Sequence, residues 1–191
     1  LAVDELPGYE LKVDELLGRV RASAPRPIVL VDGGSGSGKT TLAAALVAAY
    51  PGAVTLIRLD DIYPGWDGLA AASEQLHDFV LMPLSSGADA RWRRWDWTAD
   101  APAEWHDVDP SLPLIVEGCG SLSRANRALA SMGIWVELDA EARKRRALER
   151  DGDAYRPHWD RWAAQEQRFA EREHPAGLAD LVVDGRQLSG R

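Results

Sequence analysis

Three groups of residues have the types and spacing to do chemistry together. The first is Gly33-Gly34-Ser35-Gly36-Ser37-Gly38-Lys39-Thr40-Thr41, which satisfies the G-x-x-x-x-G-K-[ST] pattern of a phosphate-binding loop. Glycines let the backbone turn through positive φ and approach an anion closely, so successive N–H groups can converge on phosphate oxygens. Lys39 adds a cation for β- and γ-phosphates, Thr40 a hydroxyl oxygen for Mg²⁺, and the start of the following helix a partial positive charge. The second group is acidic: Asp60 and Asp61 in "LDDIYPGW" (59–66), and Glu117 in "LIVEG" (114–118). A carboxylate at such a position can orient a nucleophile or hold a metal-bound water. It can equally start a turn or cap a helix. The third group is basic: residues 141–156 carry six Lys and Arg against four acids, a local +2 in a chain of net charge −8. Arg146 and Arg150 stand at i and i+4 and so share a helix face. Cations there can stabilise phosphoryl charge, or simply form a solvated, salt-bridged surface.

These groups need elements to position them. "IVLVD" (28–32) is a short apolar, β-branched run with the pattern of a buried parallel strand, and the Gly-rich loop follows it directly. "TLAAALVAAY" (41–50) reads as a helix stopped by Pro51-Gly52, and "AVTLIRL" (53–59) as a second strand. "PLIVEG", "GIWVELD" and "ADLVVDG" supply three more strands. Helices are expected over 11–22, from "DGLAAASEQL" to about Met82, over "SLSRANRALASM", over "AEARKRRALERD", and over "HWDRWAAQEQRFAERE". "GDAYRP" is expected to break between the last two. Strands alternating with helices indicate a three-layer α/β domain with a mostly parallel sheet, whose ligands bind at the strands' C-terminal ends. Asp32, Asp60, Glu117 and Asp139 all fall at such ends.

Composition narrows the partners. A 191-residue chain that is 46% hydrophobic suits one compact domain, and its negative charge disfavours nucleic acid or an anionic membrane as a partner. Cys119 is the single cysteine, which excludes an internal disulfide and a multi-Cys metal site and fits a cytoplasmic setting. No apolar stretch reaches the ~20 residues of a membrane span, and "LAVDELPGYELKVDELL" lacks the pattern of a secretory leader. Four of the eight tryptophans (Trp92, Trp95, Trp97, Trp105) crowd into fourteen positions. Around them "RWRRWDWTADAPAEWHDV" predicts a hairpin or flap. Its Arg93, Trp95 and Asp96 could stack a ring and bind hydroxyls, or the tryptophans could merely fill a small core. Trp159, Trp162, Glu166, Phe169 and Ala170 recur at helical spacing and read as a packing stripe.

Taken together, "VDGGSGSGKTTLA", "LDDIY", "LIVEG" and "ARKRRALERD" with the later Arg156 resemble the uridine kinase and phosphoribulokinase-like branch of P-loop kinases, over about residues 28–185. The resemblance implies a three-layer P-loop NTPase fold with a five-stranded, mostly parallel sheet and an arginine-rich lid. It implies one kinase domain over 1–191, with strand, loop and helix at 28–50, an acceptor-side flap at 84–110, and the lid and following helix at 141–173. It further implies ATP and Mg²⁺ as cofactors and transfer of the γ-phosphoryl group to the hydroxyl of a small-molecule acceptor, with a nucleoside as the family default. Position by position, Asp60 falls on the general base, with Thr40, Glu117 and Asp60 on the metal side. Tyr63 lines the acceptor site, and Ile62 stands where the family usually has Phe. Arg146 and Arg150 fall in the lid, Arg150 also on the nucleotide, Arg156 toward the acceptor, and Gly185 to Leu188 beside the adenine. The flap has no match in the family's acceptor segment. Two alternatives stay open: a nucleoside monophosphate kinase, with Arg91, Arg93 and Arg94 on an acceptor phosphate, and a regulatory P-loop NTPase without an acceptor. Against the latter, the chain has no ABC-type signature and no N-K-x-D element. The sequence leaves the oligomeric state open.

Overall fold

The computed structural model describes residues 4–5 and 13–188. Its centre is β2 (Ile28–Asp32), whose apolar residues leave no polar side for solvent, so both edges pair and both faces are covered. Leu30 sits between Val116 of β6 (Leu114–Glu117) on one side and Gly133 of β7 (Met132–Glu137) on the other. Outside these lie β3 (Thr55–Arg58) and β8 (Leu181–Asp184). The resulting order β8-β7-β2-β6-β3 is parallel throughout, and the two-residue strand β1 (Asp4–Glu5) extends it beyond β8. The five expected strands are all present. The sixth is not among those expected, since two acidic residues carry no strand pattern.

Alternation along β2 divides the core. Val29 and Val31 face α1 (Val13–Ser23) and α2 (Lys39–Ala49), with Leu16, Val20, Leu42 and Leu46 packed there. Leu30 joins the opposite layer, built from α3 (Leu69–Gln75), α5 (Arg124–Leu129), α6 (Ala140–Tyr155) and α7 (Trp159–Glu173). The helix expected to end near Met82 runs on to Ser86 through α4 (Met82–Ser86), with a wider π-helical stretch at Leu76–Leu81. Pro83 accounts for the widening. It has no N–H for the carbonyl of Phe79, and its ring crowds that turn.

The Trp/Arg segment forms the expected hairpin, β4 (Ala90–Asp96) with β5 (Ala101–Val108), separate from the main sheet and irregular between Arg93 and Trp95. The break expected at "GDAYRP" falls on Gly152, whose φ of 55° and ψ of −132° lie outside helical space and kink α6 before it resumes to Tyr155. The short α8 (Pro175–Leu178) leads into β8. No described helix is long and apolar enough to cross a membrane.

Candidate active site

The loop between β2 and α2 is shaped by what lies against it. Gly36 has φ of 81°, and a Cβ there would collide with the Arg143 carbonyl of α6. A side chain on Gly34 would collide with the Arg143 guanidinium. The loop is therefore pinned under the lid helix. At its end Gly38 (φ 105°) starts α2 without a side-chain cap, which leaves the helix's first N–H groups for a ligand.

Next to this helix start is a hollow of about 290 Å³, lined by Gly36, Gly38, Lys39, Thr40, Thr41 and, from the lid, Arg146 and Arg150, with Leu188 at the far side. Of the residues expected on a nucleotide, Gly36, Gly38, Lys39, Thr40, Thr41 and Arg150 are thus brought together, whereas Ser35 lines the second cavity described below. Arg146 Nη1 donates to the Gly185 carbonyl at 2.9 Å. Gly185 itself packs against the Ser37 carbonyl so closely that no side chain would fit. It supports the loop, and Leu188 is the residue of that segment at the hollow.

Lys39 lies at the base of the site. Burial alone would favour its neutral amine, but the negative potential of Cys119, Asp60, Glu117 and Glu166 outweighs burial and raises its pKa. Burial pushes Cys119 up and keeps it a thiol, so at neutral pH the three carboxylates hold the ammonium. Thr40 Oγ1 is 3.2 Å from both Glu117 oxygens. Burial raises the Glu117 pKa against the pull of Lys39, so its charge is under-compensated. A hydroxyl beside such a carboxylate is an oxygen donor set suited to Mg²⁺. Among the described residues no group of three or more His, Cys, Asp or Glu side chains could hold a metal unaided.

The other strand-end acids separate. Asp32 accepts from the N–H groups of Gly33, Gly120 and Leu122 at 2.7, 3.1 and 2.8 Å, bracing the turn after β6. Burial pushes its pKa up to about 6 despite those donors. Asp139 caps α6 through the Ala142 N–H. Neither joins the site, because each is spent on main-chain donors.

A second cavity of about 390 Å³ opens on the other side of Arg150, reached by Ser35 and Asp60. It is walled by Tyr63, Trp66, Trp97, Tyr155 and Trp162. Asp60 lies in the turn after β3, with its side chain exposed to this cavity. Asp61 turns the other way, where burial raises its pKa and Arg58, Arg94 and His106 form its electrostatic surroundings. Tyr63 is buried, its hydroxyl donating to the Cys119 carbonyl at 2.8 Å, so it offers ring and not hydroxyl.

Several expected acceptor residues lie elsewhere. Arg93 Nε is spent on the Ala103 carbonyl across the hairpin, and Arg93 and Trp95 line a separate hollow with Phe79 and Trp105. Asp96 caps the hairpin turn through the N–H groups of Thr98 and Ala99. Arg156 is largely exposed, 3.8 Å from Asp153. The residue the hairpin does deliver is Trp97, whose indole N–H donates to the Asp60 carbonyl at 2.9 Å. Trp162, expected only to pack, is also a cavity wall.

Glu166 is the largest omission of the sequence reading. Its Oε1 accepts the Ser35 N–H at 2.7 Å and the Trp162 indole N–H at 3.0 Å, while Oε2 is 3.0 Å from Arg143 Nη1. Loop, lid and cavity wall therefore meet on one carboxylate. The only sequence signal was an acid on the apolar stripe of α7.

No protein-family model matches the chain, and no curated protein matches it. Among solved structures, it is similar to one described as a possible uridine kinase from Bacillus stearothermophilus, with a TM-score of 0.66 and 21% identity over 90% of this chain and 97% of that one. It is also similar to a "putative fructose transport system kinase" from Silicibacter sp. TM1040, with a TM-score of 0.54 and 20% identity over 90% of this chain and 98% of that one. Identities this low speak for architecture, and the chain has the P-loop kinase fold.

Proposed function

We propose that the protein is an ATP- and Mg²⁺-dependent small-molecule kinase that transfers the γ-phosphoryl group to an acceptor hydroxyl. The observation that carries this reading is the adjacency of two hollows across Arg150: one at the loop and α2, the other walled by aromatics with Asp60 at its edge. A phosphate site alone serves any NTPase, whereas a second, aromatic-walled cavity beside a carboxylate supplies a place for an acceptor.

In this reading the described chain acts as one kinase domain, with the β4–β5 hairpin on the acceptor side and α6 and α7 as the lid. Lys39 and the α2 N-terminus hold the nucleotide's phosphates, and Arg146 and Arg150 approach from the lid. Thr40 and Glu117 would hold Mg²⁺, which supplies charge neutralisation on the phosphate oxygens when bound. Asp60 orients the acceptor hydroxyl and takes its proton. Phosphoryl transfer depends mainly on positioning and electrostatics, so an exposed aspartate suffices. The aromatic walls and lid limit water as a competing nucleophile.

The nucleoside monophosphate kinase alternative lacks an anion site. Arg94 is paired with Glu104 through two bonds, Arg91 lies over the Trp105 ring at 4.4 Å, and Arg93 is spent on Ala103. The test is a screen of a small-molecule metabolite extract with Mg·ATP, read by ADP release and product mass. A phosphorylated small molecule with matching ADP supports the kinase. ATP hydrolysis without a phosphorylated product supports the regulatory NTPase.

A further inference from the structure

The walls of the 390 Å³ cavity carry information about the body of the molecule it takes. Trp66 is the centre of the aromatic set. It stacks nearly parallel on His158 and Tyr155, at centroid distances of 4.2 and 5.4 Å, and lies tilted to Trp97 at 5.1 Å. Trp162 meets Trp66 edge-on at 6.3 Å and Tyr63 edge-on at 4.7 Å. These contacts fix the rings against one another, so the cavity is preformed and binding need not order its walls.

The polar tips of those rings are almost all consumed. The Tyr63 hydroxyl donates to Cys119, the Trp97 N–H to Asp60, the Trp162 N–H to Glu166, and the Tyr155 hydroxyl to Ser35 Oγ at 2.9 Å. Arg150, the cation lining the cavity, gives Nε and Nη2 to Asp151 at 2.8 and 2.6 Å. Among the described lining side chains, the polar groups left over are the Asp60 carboxylate, the Trp66 indole N–H, the Nη1 group of Arg150 and the remaining lone pairs of the Asp151 carboxylate. A nucleoside base or a sugar would press many donors and acceptors against ring carbons that cannot answer them. An anionic group would meet the carboxylates of Asp60 and Asp151 there. An apolar ring, by contrast, gains contact on several sides from aromatic walls.

The geometry points to an acceptor that is a ring-bearing alcohol poor in hydrogen-bonding groups, its alicyclic or aromatic body against the cavity-facing surfaces of Trp66, Trp97 and Trp162 and its hydroxyl at Asp60. This rests on the kinase reading of the site. In the transfer, the acceptor oxygen bonds to the γ-phosphorus, the bond from that phosphorus to the bridging oxygen of ATP breaks, ADP leaves, and the hydroxyl proton passes to Asp60. At about 390 Å³ the cavity is near the lower end of the ~300–1,000 Å³ usual for ligand sites, which suits a molecule of one or two rings.

The test uses the full chain and four probes: cyclohexylmethanol, 2-phenylethanol, uridine and glucose. Binding is followed by tryptophan fluorescence without nucleotide, and turnover by ADP release with Mg·ATP. Both ring alcohols should give saturable changes and bind about tenfold tighter than uridine or glucose. Trp66→Leu and Trp97→Leu should each weaken them by about fivefold or more. Trp97 is 40% exposed, so its variant should melt with the wild type, which keeps the comparison valid if Trp66→Leu fails to fold. Tighter binding of uridine or glucose, or no saturable response to either ring alcohol, overturns the inference. The two readings fail separately: ring alcohols that bind while no component of the metabolite extract is phosphorylated sink the kinase, whereas uridine-stimulated ADP release keeps the kinase and sinks the ring-alcohol cavity.

Discussion

Glu166 Oε1 accepts the backbone N–H of Ser35 at 2.7 Å, and that bond fastens the phosphate-binding loop to helix α7. The other oxygen pairs with Arg143 of α6, so a largely buried ion pair closes the arrangement. Removing one partner leaves the other charge stranded. Glu166→Gln should cost about 3 kcal/mol of stability by denaturant unfolding. Adding Arg143→Met should restore part of that loss, so the double variant loses less than the sum of the two singles. Strict additivity would mean that the two side chains do not act as a pair.

In the proposed kinase the metal side would rest on Thr40 and Glu117, whose side-chain oxygens are 3.2 Å apart. Glu117→Gln removes the charge while keeping the shape. It should raise the Mg²⁺ concentration for half-maximal ADP formation by about tenfold. A titration of activity against Mg²⁺ checks this, and an unchanged midpoint would remove Glu117 from the metal side.

Of the basic residues in α6, Arg146 and Arg150 line the hollow at the start of α2, whereas Arg145 is exposed away from it. Arg146→Ala should therefore lower turnover by about 10³-fold, while Arg145→Ala should stay within about twofold. The pair of rates separates a phosphoryl-facing cation from general surface charge. Equal effects would contradict the assignment.

Asp32 gives a pH dependence with a definite sign. Its folded pKa of about 6 lies above the ordinary 3.8 because burial penalises the carboxylate. Between those values the folded chain binds the extra proton, so stability falls as pH rises through that window. Asp32→Asn lacks this titration. The stability advantage of wild type over the variant should therefore be greatest below pH 4 and shrink by about 2 kcal/mol between pH 4 and pH 7, measured by denaturant unfolding across pH. A gap that widens with pH would contradict it.

The loop from Gly33 to Thr40 is legible in sequence because its chemistry is local: glycines, a lysine and a hydroxyl within eight positions, between a strand and a helix pattern. Asp60 is legible because strand ends face the ligand side of such a sheet. Glu166 is not, because its meaning comes from Ser35 and Arg143, far away in sequence, while its own neighbours repeat like an ordinary amphipathic helix. The hairpin was visible but its working residue was not. Arg93 and Asp96 are each spent on main-chain groups of the hairpin, and only the folded chain brings Trp97 to Asp60. Likewise, Trp162 satisfies the pattern of a packing residue and still walls the cavity, since one face of a ring can do each.

The central claim is that Asp60 handles the acceptor hydroxyl, and the most direct measurement compares wild type with Asp60→Asn in the metabolite-extract assay. Mg·ATP binding is measured in parallel. The account predicts that the variant binds ATP as wild type does and forms the phosphorylated product at least about 10²-fold more slowly. Product formation at the wild-type rate by Asp60→Asn would contradict it.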